Sequence, residues 1–311
     1  MNLVTFSQPL RGIVPPLVTP LLARDQLDEA GLERLLEYVL AGGVHGLFIL
    51  GTTGEGTSLS YRLREELTEH VCRQVRGRVP VLVGITDTAF MESVRVARHA
   101  AEKGAAAVVL APPYYLPEGQ PELREYLDHL LPELSIPLFL YNMPPLTKVP
   151  FAVETVSWAM DHPEIVGIKD SSGDMNYFHQ LCLLAPRRPE WTILVGPEHL
   201  LAESVLLGGH GGVNGGANLL PRLYVDLYEA ACLGDLPRIR RLHHIVVQVG
   251  ELLYRVGHHP SSIIKGIKCG LSCMGLCNDF MAEPFHKFRP PERLKIEQAL
   301  ARIQELIQAA G

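Results

Sequence analysis

Lys169 is the residue whose type and position point most directly to chemistry. The chain holds seven lysines, and Lys169 alone falls inside an apolar run that reads as a strand. Taking an ammonium group out of water is costly, so a lysine there is expected to be paired or to lose its proton. An unprotonated amine attacks a ketone carbon and condenses to an imine, whose protonated form draws electrons from the adjacent carbon. A salt bridge to Asp170 or a contact to phosphate accounts for the same residue without an imine, and residue types leave both readings open. Tyr141 closes the preceding run. A phenol beside a lysine can pass protons while an imine forms or a C–C bond breaks, although a strand tyrosine also serves as a core aromatic. Gly51-Thr52-Thr53-Gly54-Glu55 offers two hydroxyls and backbone N–H groups in a glycine-flanked turn, suited to cradling a carboxylate.

These residues need elements to hold them together. Short runs rich in Val, Ile and Leu lie at 13–18, 47–50, 81–85, 107–111, 137–141, 165–169, 191–195 and 211–214. They do not alternate with polar residues, which is how strands covered on both faces read. Between them, 29–40, 61–76, 92–103, 120–131, 153–160, 176–184, 199–207 and 222–233 place apolar residues at helical spacing. Gly42, Gly77, Gly104, Pro132, Pro186, Gly208 and Gly234 punctuate their ends. Eight strand–helix repeats predict an α/β fold, a (β/α)8 TIM barrel over residues 1–234, with the active site at the C-terminal ends of the strands. A doubly wound open sheet is the alternative. Beyond Gly234 the strand signal stops. Segments 235–250, 261–276 and 291–310 read as helices, predicting a C-terminal helical region over 235–311.

Composition narrows the function classes. The 311 residues are 47% hydrophobic and 20% charged, which excludes a mostly disordered chain. A net charge of -6 leaves no basic footprint for nucleic acid. No apolar run approaches a membrane span, and residues 1–20 hold no continuous apolar leader segment. Six cysteines without a small-domain framework fit reduced thiols, so a cytoplasmic location is expected. Cys269, Cys273 and Cys277 recur every fourth residue, which on one helix is packing rather than metal ligation. His45 and His210 sit near turns with no second ligand in view, so no metal is expected. The run from Gly208 to Gly216 is glycine-rich but lacks the Lys-Ser/Thr of a phosphate loop.

Four segments in order carry a resemblance: Gly51-Thr52-Thr53-Gly54-Glu55; Tyr114-Tyr115 ahead of Pro117; Tyr141-Asn142-Met143-Pro144; and Gly167-Ile168-Lys169-Asp170. Together they resemble the dihydrodipicolinate synthase / N-acetylneuraminate lyase family of class I, pyruvate-type aldolases, over nearly the whole chain. The resemblance implies a cofactor-free lyase on a (β/α)8 barrel, usually a homotetramer built as a dimer of dimers. It implies that Lys169 forms the Schiff base and that Tyr141 relays protons. Thr53 then holds the pyruvate carboxylate beside Gly51, and Thr52 links Tyr141 to Tyr115 across a subunit interface. Val213 and Asn214 lie where a backbone carbonyl faces the substrate. One departure bears on specificity. Where dihydrodipicolinate synthases read Tyr-Asn-x-Pro-x-Arg-Thr, this chain has Leu146, which has no donor for a second carboxylate. Lys148 brings a point charge, not a two-pronged fork. The expected substrates are therefore pyruvate or another 2-keto acid with an aldehyde. Cleavage or dehydration of a 2-keto-3-deoxy sugar acid is favoured over 4-hydroxy-tetrahydrodipicolinate synthesis. A non-catalytic keto-acid-binding barrel is the contrasting expectation.

Overall fold

The computed structural model describes residues 8–310; the expectation about residues 1–20 lies partly outside them. Eight parallel strands make one sheet: β1 (Gly12–Ile13), β4 (Leu47–Ile49), β5 (Val81–Gly84), β6 (Ala107–Leu110), β7 (Leu138–Asn142), β8 (Ile165–Asp170), β9 (Thr192–Val195) and β10 (Gly211–Gly212). Their order is β1-β10-β9-β8-β7-β6-β5-β4. A parallel bridge between Pro16 and Phe48 joins the two ends. Two backbone hydrogen bonds make it, Leu17 N–H to the Phe48 carbonyl at 2.8 Å and Phe48 N–H to the Pro15 carbonyl at 2.9 Å. The ring is the expected TIM barrel.

Helices α1 (Glu29–Ala41), α2 (Tyr61–Val75), α3 (Phe90–Glu102), α4 (Gln120–Leu130), α6 (Val153–Ala159), α7 (Met175–Leu184), α8 (Leu201–Leu206) and α9 (Pro221–Leu233) follow the strands, with a short α5 (Pro144–Thr147) after β7. Asp28, Ser60 and Asp174 cap α1, α2 and α7 by accepting early backbone N–H groups. The chain continues as α10 (Leu236–Val249), a π-helical turn (Gly250–Tyr254), α11 (Ser262–Cys273) and α12 (Pro290–Ala310). No helix among the described residues is long and apolar enough to cross a membrane.

Two sequence expectations change, and one pair of strands is added. The apolar run at 13–18 predicts a longer first strand, but its ladder with β10 stops at Ile13, because Pro15 and Pro16 have no N–H to donate. Leu21–Ala23 (β2) and Gln26–Leu27 (β3) form an antiparallel hairpin that no run announced. The helix expected over 261–276 runs only from Ser262 to Cys273. Two apolar layers result. Phe48, Leu82, Val109, Phe139, Tyr141, Leu194 and Val213 share one inside the barrel. A larger layer between sheet and helices runs from Ile13 and Leu35 through to Leu253, Ile267, Ile296 and Ile303, so the core is continuous across Gly234.

Candidate active site

Strand β8 sets the phase of its own side chains. Leu138 pairs with Ile165 but Phe139 pairs with Gly167, so Val166 is an extra residue, a bulge. Without it, alternation from Ile165 would turn residue 169 to the helix layer. With it, Ile168 joins the outer layer and Lys169 faces inward, 6% exposed. Gly167 leaves room for this: a Cβ there would lie 2.6 Å from the Thr192 carbonyl oxygen and 2.7 Å from the Phe139 ring.

Tyr141 and Lys169 are register partners on adjacent strands, and their side chains share one face. The Lys169 Nζ lies 4.0 Å from the centroid of the Tyr141 ring and 5.2 Å from that of Phe48. Phe48 meets Tyr141 edge to face at 6.2 Å between centroids. The neighbouring pair Asn142 and Asp170 points the other way. Asn142 Nδ2 donates to Asp170 Oδ1 at 2.8 Å, and the same carboxylate accepts the Ser172 N–H and hydroxyl. Asn142 Oδ1 in turn accepts the Phe151 N–H. The Asn and Asp of the two motifs therefore tie the strand ends together behind the phenol and the amine. Asp170 is thereby engaged away from Lys169. Burial still raises its pKa above the carboxylate norm, which these hydrogen bonds only partly offset.

The Tyr141 hydroxyl meets Thr52 Oγ1 at 3.2 Å, and Ser171 is close enough to help lower its pKa. Burial pushes this phenol up, but the charge of Lys169 and hydrogen bonds from Thr52, Ser171 and Lys169 outweigh it, and the pKa falls below that of a free phenol. Ser171 was not singled out by sequence. Its signal is its position two residues past Lys169, where the strand opens to the mouth, and Gly196 makes room for it: a Cβ there would collide with the Ser171 hydroxyl. On the other side of Tyr141, Gly51 gives way to the Phe48 ring, and the Glu55 N–H closes the Thr52–Glu55 turn onto the Thr52 carbonyl at 3.1 Å. Thr53 is half-buried in that turn, its Oγ1 3.9 Å from where a Gly215 Cβ would stand.

Glu198, after β9, is a second residue that sequence reasoning left without a role. Its carboxylate accepts Gly216 N–H at 2.6 Å, the Tyr254 hydroxyl at 2.9 Å and the Tyr224 hydroxyl. Burial raises its pKa despite these bonds. It pins the 215–218 turn beside Thr53. Asn214 is fully buried and its amide donates to the Gly196 carbonyl at 3.0 Å, so a substrate contact there falls to backbone atoms. Val213 belongs to the barrel interior. Tyr115 stands apart: it is 94% exposed at φ 88° beside exposed Leu116, outside the Thr52–Tyr141–Ser171 cluster of its own chain. Leu146 projects from α5 half-exposed.

An amine flanked by a phenol, with hydroxyls on both sides of that phenol, is chemically equipped for imine formation and proton transfer. A sequence model of the dihydrodipicolinate synthetase family matches residues 9–303. The chain belongs to that family. Members of the dihydrodipicolinate synthetase family are class I lyases of the aldolase type, and so is this protein. It is 35% identical over 297 residues to the 4-hydroxy-tetrahydrodipicolinate synthase of Thermus thermophilus, covering 95% of each chain. It is 30% identical to a probable 2-dehydro-3-deoxy-D-pentonate aldolase of Escherichia coli, YjhH, over 96% of this chain and 97% of that one. Among solved structures, a dihydrodipicolinate synthase from Bacteroides thetaiotaomicron superposes with a TM-score of 0.92 at 55% identity, covering 97% of this chain and all of the other. The Escherichia coli family member YagE, in complex with pyruvate, gives 0.87 at 27% identity over 94% and 98% of the two chains.

Proposed function

We propose that the protein is an imine-forming lyase in which Lys169 attacks the C2 carbonyl of pyruvate or of a longer 2-keto acid. Amine and ketone condense with loss of water. A proton leaves C3, and the resulting enamine adds to an aldehyde carbon whose oxygen takes up a proton through Tyr141. Run backwards, the same steps cleave the C3–C4 bond, and hydrolysis of the imine returns the amine. Thr53, beside Gly51, holds the carboxylate. Thr52 connects Tyr141 to Tyr115 of a second copy in a homotetramer. The scheme calls on no cofactor and on small molecules as the only substrates. The observation that carries it is the side-by-side placement of the Tyr141 phenol and the Lys169 amine, with Thr52 on the phenol.

For the longer substrate we favour a 2-keto-3-deoxy sugar acid, cleaved or dehydrated. Leu146 supplies no donor for a second carboxylate, and no arginine stands in the segments 51–55, 141–148, 171–173, 196–198 or 213–218 that follow the strands. Hydroxyls of Ser171 and Thr52 suit a polyhydroxylated chain better than an anionic one. Synthesis of 4-hydroxy-tetrahydrodipicolinate from pyruvate and an aspartate-derived semialdehyde is the second reading, supported by the names of the Thermus and Bacteroides proteins. Steady-state turnover on 2-keto-3-deoxy sugar acids, alongside condensation of pyruvate with the semialdehyde, separates the two. Faster condensation reverses our preference. Pyruvate binding without turnover of any partner leaves a binding barrel.

A further inference from the structure

Lys268, on α11, is a fully enclosed lysine beside the Gly51–Glu55 turn. Its Nζ lies 2.7 Å from Glu55 Oε1, and both side chains are 0% exposed. The second oxygen of Glu55 accepts the Ala282 N–H at 2.8 Å. Both anchors of this carboxylate thus come from the region beyond Gly234, one from a helix and one from the loop after it. Glu55 is the last residue of the Gly51–Glu55 turn. It sits in the left-handed region, φ 56° and ψ 26°, as does Leu50 at φ 59° just before the turn. Residues with a side chain avoid this region unless their surroundings hold them there. The glycines beside Glu55 leave little slack. A Cβ on Gly54 would lie 2.9 Å from the Leu17 carbonyl oxygen, and one on Gly56 would strike the Leu50 carbonyl. The Thr19 hydroxyl also holds the Gly54 carbonyl at 2.7 Å. The turn is packed against backbone on both sides, and the carboxylate of Glu55 ties it to the C-terminal region.

We propose that Lys268 is a positioning residue: through Glu55 it holds the Thr52–Thr53 turn in the shape that receives the substrate carboxylate and bonds the Tyr141 phenol. The proposal rests on the imine reading for its catalytic consequence but not for its structural one. Glu55 freed of Lys268 is able to leave the left-handed region, and Thr52 and Thr53 move with it. The C-terminal region is then part of the active site's framework. Loss of the clamp weakens capture of the keto acid while leaving the Lys169 amine able to react.

Removing one partner strands a buried charge, so the informative variant is the double change Glu55→Gln with Lys268→Met, which removes both charges, compared with Lys268→Met alone. Two measurements decide. The first is amide hydrogen exchange in the ligand-free full chain. We expect exchange across residues 50–57 to accelerate at least about tenfold in the double variant while β5 to β7 keep their protection. The second is borohydride trapping against pyruvate concentration. We expect half-saturation to rise at least about tenfold with the final extent of Lys169 modification unchanged. Unchanged exchange, equal acceleration throughout the barrel, or failure of both variants to give folded protein overturns the proposal, the last two because they assign the pair to the fold as a whole. Faster local exchange with unchanged half-saturation also overturns the positioning role. Absence of any adduct in the wild type strikes the imine reading alone, and exchange then decides the clamp.

Discussion

Tyr141 is held between opposing influences, and its hydrogen bonds make that balance testable. Burial raises the phenol, whereas Lys169, Thr52 and Ser171 lower it, and the lowering wins. Thr52→Val removes one of the lowering bonds, so the phenol must move upward. If Tyr141 acts as the proton donor, the alkaline limb of kcat/KM moves to higher pH in that variant. A limb that stays in place assigns it to another group. Tyr141→Phe is expected to cut kcat by about 10²-fold or more, as loss of a positioned acid–base group does. At this scale the sequence placed Lys169 and Tyr141 in strand runs, and the register of β7 and β8 sets them side by side. Ser171, Glu198 and Lys268 were missed for one physical reason. Their partners lie far along the chain, Tyr254 at 56 positions from Glu198 and Glu55 at 213 from Lys268, and no local pattern encodes such a pairing. A search for buried lysines in strands alone could not find one on a helix.

At the scale of elements, strands β7 and β8 are set by small things: a one-residue bulge, a glycine, and a carboxylate–amide pair. Gly167→Ala forces a methyl against the Thr192 carbonyl and the Phe139 ring. Overpacking of this kind costs about 1–3 kcal/mol, read as a lowered denaturant midpoint, and the displaced Lys169 should lose activity beyond that loss of stability. Unaltered midpoint and activity would show that the strands have slack. Asp170→Ala leaves the Asn142 amide and the Ser172 N–H without their acceptor, at a cost of about 1–3 kcal/mol in unfolding experiments. Strand number and order were legible in apolar runs and their spacing. The hairpin β2–β3 was not, because strands of three and two residues carry too little pattern. The bulge at Val166 was hidden too, since an unbroken apolar run shows no change of phase.

At the scale of the whole molecule, the ring closes where its strands are shortest. Next to that seam, His210 fastens the start of β10 between β9 and β1. Its Nδ1 accepts the Ile193 N–H at 2.9 Å, its backbone pairs with Ile193 on one side and Gly12 on the other, and burial lowers its pKa to about 4. His45 does the same for the Ile13 N–H, and burial lowers its pKa as well. Only a neutral ring can accept these bonds. Because the folded pKa lies below the ordinary 6.5, the stabilisation is complete above about pH 6.5 and drains away as pH falls toward 4. For His210 this is on the order of 2 kcal/mol, allowing for partial solvent contact. His210→Gln should flatten stability against pH across that window, and an unchanged slope would remove the ring from the account. Assembly belongs to this scale as well. Tyr115 and Leu116, exposed on one copy, are expected to be covered by another. Dilution below the dissociation constant, followed by sizing, should then lower activity in step with dissociation, and full activity in isolated monomers would exclude a role for Tyr115 across an interface.

The most direct single measurement is to incubate the wild-type protein with pyruvate and borohydride and locate the added mass by peptide mapping. A stable adduct on Lys169, absent without pyruvate, is the predicted outcome. An unmodified Lys169, or an adduct on any other lysine, contradicts the central claim that this barrel works through an imine at the mouth of β8.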